Sequence, residues 1–154
     1  MIQEEVRDLK DKVDVLMVNM HWGTEYERLP NEEQKEMAAF LADEEVDVVI
    51  GHHPHVLQPI ESVKGKKGNQ TLVYYSLGNF YTGQDQKYTD TGGVATFEVE
   101  KAGDEMIISE PNIDFTQVVP GPENEYIVKP MADAEHPPNG GETEQELRTT
   151  STSG

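Results

Sequence analysis

The sequence contains no cysteine, which excludes disulfides, thiolate nucleophiles and zinc–thiolate sites. Any metal would have to be held by His, Asp, Glu, Asn or water. Basic residues are also scarce. Twelve Lys and Arg against 30 Asp and Glu leave a formal charge of -18 over 154 residues, and such a field repels nucleic acid and anionic membrane surfaces. No nucleic acid is therefore expected among the partners. No stretch approaches the roughly 20 apolar residues of a membrane span, and Met1 to Asp14 lacks the apolar middle of a signal peptide. The chain as written is expected to be soluble, although an anchor could precede Met1 if the chain is a piece of a longer protein. The 35% of hydrophobic residues suffices for one main core.

Ile2, Val6, Leu9 and Val13 recur at three- and four-residue spacing among charges, which predicts an amphipathic helix of about three turns. The near-continuous apolar run from Val13 to Met20 predicts a strand buried on both faces, as in a parallel sheet. Asn31, with Gln34 three residues on, is a variant of the capping box and predicts a helix over Glu32–Glu44. A second buried strand, Val46–Ile50, completes a strand-helix-strand unit. Val56–Val63, Thr71–Tyr75, Val94–Val99 and Met106–Ile108 read as strands separated by turn-rich loops, and this part reads as antiparallel sheet. The expected fold class is α/β. Residues 1–118 form the folded part, and the Pro-, Gly-, Glu- and Thr-rich segment 119–154 is expected to be an extended, disordered acidic tail.

The chemistry concentrates in the histidines. His21 follows the first predicted strand, and His52, His53 and His55 follow the second. Open α/β sheets bind ligands outside the carboxyl ends of their strands, so both positions fall on the productive edge. Alternate residues of an extended segment point to one side, and Pro54 restricts its predecessor to extended geometry. His53 and His55 would then present imidazoles in one direction, with His52 pointing away. Neutral imidazoles bind borderline metals such as zinc, iron or manganese. The competing reading is a hydrogen-bonded turn in which Gly51 allows a tight bend and the histidines cap strand ends.

Three segments, His21-Trp22-Gly23-Thr24-Glu25-Tyr26, Gly51-His52-His53-Pro54-His55-Val56-Leu57-Gln58 and Ser76-Leu77-Gly78-Asn79-Phe80, together resemble the C-terminal half of the CapA family. These are poly-gamma-glutamate capsule proteins related in fold to calcineurin-like metallophosphoesterases. The resemblance covers about Val6 to Phe97. It implies an α/β/β/α sandwich of which this chain supplies about half, with a βαβ unit followed by antiparallel strands. It also implies divalent metal ligands at His21, His53 and His55, with His52 behind them. Asn79 becomes a candidate polar group at the pocket edge and Glu25 a candidate acid, base or orienter of His21. Turn formation for Asn79 and simple solvation for Glu25 remain alternatives. Trp22 and Tyr26 read as packing groups.

The aspartate-rich motif and Asn-His element that begin such domains are absent here. The resemblance therefore implies a C-terminal fragment or truncated homologue, which could be a metal-dependent hydrolase only with its N-terminal half. A two-metal site is expected in the complete domain, and none need be bound by the fragment. Three functions follow as expectations: a capsule-synthesis protein partnered by a membrane-bound polymer ligase complex or by its own missing half, a metal-dependent phosphoesterase for a small phosphorylated substrate, and a non-catalytic scaffold. The parent protein is expected to be membrane-anchored with this domain outside the cell. A homodimer could cover an unpaired sheet edge.

Overall fold

The computed structural model describes residues 2–103, 105–135 and 137–151. Helix α1 (Ile2–Lys10) precedes strand β1 (Met17–His21), helix α2 (Glu32–Asp43) and strand β2 (Val48–His52). Strands β3 (Ile60–Lys64), β4 (Gln70–Tyr74), β5 (Thr91–Ala102), β6 (Glu105–Pro120) and β7 (Tyr126–Pro130) follow, and helix α3 (Glu144–Ser151) comes last. The predicted capping box forms: the Asn31 side chain accepts from the Gln34 N–H at 3.0 Å, and the Gln34 side chain accepts from the Asn31 N–H at 3.1 Å. Two otherwise orphaned helix donors are thereby satisfied.

The first sheet has the order β1-β2-β4-β3. Strands β1, β2 and β4 are parallel, and β3 runs antiparallel to β4. Thr71–Tyr75, read from sequence as part of an antiparallel sheet, thus joins the parallel one, because the 46–50 and 70–74 segments align through Val48↔Leu72 and Ile50↔Tyr74. Strands β5, β6 and β7 make a second, antiparallel sheet.

Alternation along each strand sends neighbours to opposite faces. Val49 and Val73 meet Val6 of α1 and Ala38 and Leu41 of α2 on one side. Val48, Leu72 and Tyr74 meet Ile113 and Phe115 of β6 on the other. The layers are helix, mixed sheet and antiparallel sheet, an α/β arrangement consistent with part of a sandwich. Tyr74 ties the two sheets, donating its hydroxyl to the Thr96 carbonyl at 2.8 Å, and burial pushes its phenol up to about 12.

Three further expectations need correction. The strand read from Val13 begins only at Met17, and β1 is not buried on both faces: Met17 is 48% exposed, while Val18 and Met20 pack toward the helices. Among the described residues, strand β1 pairs only with β2 and forms an edge of its sheet. The strand read over Val56–Val63 begins at Ile60, and buried Val56 and Leu57 lie in the preceding loop. The polar segment 119–154, expected to be an extended, disordered tail, instead carries β7 in register with β6, from Thr116↔Pro130 to Pro120↔Tyr126, while positions 136 and 152–154 of that segment lie outside the described residues. Met131 and Leu147 are buried beyond it. Backbone pairing and these two apolar anchors offset an ordering cost that composition alone suggested would not be met. Among the described residues, no helix is long and apolar enough to cross a membrane.

Candidate metal centre

Strands β1 and β2 end in register, with His21 opposite His52, so two histidines stand side by side at the carboxyl edge of the sheet. The chain then bends. His53 and His55 both have positive φ, 103° and 61°, in a region that residues with a side chain rarely occupy. Residue 53 is therefore not held extended by Pro54, and the two rings do not converge through strand alternation as the sequence suggested. They converge because the backbone turns sharply at both positions. Such strain is typical of segments that the surrounding structure holds for function.

The bend brings three rings together, each tilted against the next: His21 and His53 have centroids 4.5 Å apart at 44°, and His53 and His55 are 5.9 Å apart at 56°. Glu25 reaches the same place from the loop after β1, with a carboxylate oxygen 3.9 Å from Nε2 of His55. One ligand atom from each of Glu25, His53 and His55 lies within 4.8 Å of the other two. A divalent cation bonded at about 2.0–2.2 Å in a tetrahedron needs donors about 3.3–3.6 Å apart. Side-chain rotation would have to close that difference, and a carboxylate with two imidazoles is a donor set that suits zinc, manganese or iron. The structure thus brings together His53, His55 and Glu25. His21 lies against His53 outside this trio, and His52 lines an apolar cleft with Asn19, Ile50, Phe80 and Val94. Desolvation, and then the neighbouring His21, hold His52 below the ordinary imidazole range.

The loop carrying Glu25 is pinned from beneath. Buried Gln34 donates through Nε2 to Oε1 of buried Gln58 at 2.8 Å, and Gln58 donates to the carbonyls of Glu27 at 2.8 Å and Leu29 at 3.3 Å. Gly23, at φ 82°, lies so close over Gln34 that an added Cβ would come within 2.6 Å of its amide. The Tyr26 N–H donates to the Pro54 carbonyl at 2.8 Å, and its ring stacks near His55 at 6.0 Å. Tyr26 therefore backs the site while remaining 40% exposed. Sequence pattern alone does not mark Gln34 and Gln58 as site residues. The available signal for Gln58 is its place in the apolar run Val56–Ile60, where a polar side chain needs a buried partner.

The Gln58→Leu variant leaves the buried Gln34 donor unpaired and frees the carbonyls of Glu27 and Leu29. It is expected to lower stability by about 1–3 kcal/mol, the cost of one orphaned buried polar group, which a shifted urea midpoint would record. An unchanged midpoint would show that the amide chain does not hold this loop.

An α/β protein with imidazoles and a carboxylate gathered at the carboxyl ends of its parallel strands is the class that fold and site define. The chain belongs to the bacterial capsule synthesis protein family PGA_cap, whose model matches residues 1–84 and so includes Glu25, the four site histidines and Asn79. It is 35% identical over 117 residues to the PGA biosynthesis protein CapA of Bacillus subtilis strain 168, covering 76% of this chain and 29% of that protein. It is also 35% identical over 94 residues to the capsule biosynthesis protein CapA of Bacillus anthracis, covering 61% of this chain and 22% of the relative. In both comparisons the matched segment spans less than a third of the relative's length.

Proposed function

We propose that this chain is the metal-holding part of a CapA-type protein acting in poly-gamma-glutamate capsule synthesis. The convergence of Glu25, His53 and His55 within 4.8 Å, at a strained bend inside the region that defines the family, carries the reading. Those three side chains would hold a divalent cation, which when bound supplies Lewis acidity and an acidified water. The chain's own residues do the rest. Gln58 and Gln34 hold the carboxylate loop in place, and Tyr26 covers one side of His55. The capsule polymer is itself anionic, and a chain of charge -18 repels it except where a bound cation reverses the local field. A polymer ligase complex and the remaining part of the longer protein are the partners this reading implies, with the complex anchored at the membrane.

The reading is tested in a host strain lacking the gene. Complementation with the wild-type gene is expected to restore capsule polymer, and complementation with His53→Ala/His55→Ala at equal protein level is expected to fail. Full restoration by the double variant would refute the proposal. Manganese-dependent hydrolysis of a generic phosphodiester by the wild type, lost in the same variant, would favour the phosphoesterase reading instead.

A further inference from the structure

We infer that Asn79 is a positioning residue that fixes the proton of His55 on Nδ1 and so turns the lone pair of Nε2 toward the proposed cation site. The inference rests on the metal reading for its purpose, but its chemistry is set by hydrogen bonds within the chain. The oxygen and nitrogen of an asparagine amide are assigned from their partners, and here the partners decide. Asn79 Nδ2 lies 3.0 Å from the backbone carbonyl of Thr89. A carbonyl oxygen only accepts, so that side of the amide must be NH2. The same NH2 donates to Oε1 of Gln84 at 3.0 Å. Oδ1 of Asn79 is then the atom 3.0 Å from Nδ1 of His55. An oxygen acceptor requires a donor opposite, and a neutral imidazole with its proton on Nδ1 has its lone pair on Nε2. Nε2 is the atom that faces Glu25 at 3.9 Å.

The amide has little freedom to choose otherwise. The Asn79 N–H donates to the Thr91 carbonyl at 3.2 Å. Gly92 approaches so closely that an added Cβ would lie 2.2 Å from the Asn79 carbonyl oxygen. Thr89 is fully buried, and its hydroxyl and N–H both donate to the Gln86 carbonyl, at 2.7 and 3.1 Å. The start of β5 and the loop before it therefore form a rigid frame that holds one side-chain amide in one orientation. In water a free imidazole prefers its proton on Nε2, so the arrangement selects the minor form. A ligating histidine whose other nitrogen donates to an oxygen has its tautomer and ring orientation fixed, and loss of that oxygen typically costs about 10–100-fold in metal affinity.

The test uses the whole 154-residue chain, labelled with 15N and free of metal, at about pH 8.5 where imidazoles are ordinarily neutral. Two-bond nitrogen–proton correlation spectra report the tautomer of each ring. The wild type is expected to show His55 with its proton on Nδ1. Asn79→Asp, which keeps an acceptor, should retain that form, whereas Asn79→Ala should revert to an Nε2–H mixture and bind zinc about 10–100-fold more weakly. A proton on Nε2 of His55 in the wild type overturns the inference without needing any variant. So does an unchanged tautomer in Asn79→Ala, or an unchanged zinc affinity once the tautomer has switched. Failure of the wild type to bind zinc, with Nδ1–H observed, would instead refute the metal reading and with it the purpose assigned to Asn79.

Discussion

Replacing Trp22 with alanine is expected to lower the unfolding free energy by about 3–5 kcal/mol, the range for deleting a buried large aromatic side chain. The indole is 8% exposed and stacks on Tyr75 at 5.8 Å and 29°. Its Nε1 donates to the buried Tyr75 carbonyl at 2.9 Å, and its backbone N–H donates to the His52 carbonyl at 3.1 Å. Truncation opens a cavity in the helix-side core and orphans one carbonyl. Gly51 is part of the same fit, since a Cβ there would fall 2.0 Å from the Tyr75 oxygen and 2.4 Å from the indole nitrogen. The three residues lock the ends of β1, β2 and β4 together directly beneath the histidines. Natural domains hold only about 5–15 kcal/mol in total, so the loss would remove a large share of the stability. Trp22→Phe keeps most of the packing and loses mainly the hydrogen bond, an effect of about 1–2 kcal/mol. Urea unfolding of the three proteins measures both values. A shift below about 1 kcal/mol for Trp22→Ala would contradict this account of the strand ends.

The second large effect concerns the cation. His53→Ala/His55→Ala removes two of the three converging donors. Changing a residue that merely supports a ligand costs about 10–100-fold in affinity, so removing two ligands should cost more than about 100-fold in zinc or manganese binding. A calorimetric titration should find one tight cation per wild-type chain and only weak, nonspecific association in the double variant. The 30 acidic residues make that weak background certain to appear, so the difference between the two proteins is the informative quantity. The variant should retain wild-type far-UV circular dichroism, because both side chains lie in a loop beyond β2 and neither belongs to the buried core.

What sequence could reveal here follows from the range of each interaction. The capping box at Asn31 and Gln34 is local, and so is the strand-helix-strand unit around it; both were legible. The position of the histidines at the carboxyl edge followed from strand direction, and His21 does stand in register with His52. The rings of His53 and His55 approach each other through positive φ at both residues and not through strand alternation, and that geometry depends on contacts that the His-Pro-His motif does not contain. Glu25 had a reasonable alternative as a solvated carboxylate, and its place beside His55 depends on Gln34 and Gln58, which lie 24 residues apart. The pairing of β4 with β2, the open edge at β1 and the capture of residues 126–130 by β6 are likewise non-local. Composition and periodicity carry little information about such partners.

The most direct test of the central claim is an anomalous diffraction map, collected at the zinc edge, from crystals of this chain equilibrated with zinc. One dominant peak is expected about 2.0–2.2 Å from the ring nitrogens of His53 and His55 and from the Glu25 carboxylate. A dominant peak elsewhere on the acidic surface, or no peak between those three side chains, would contradict that claim.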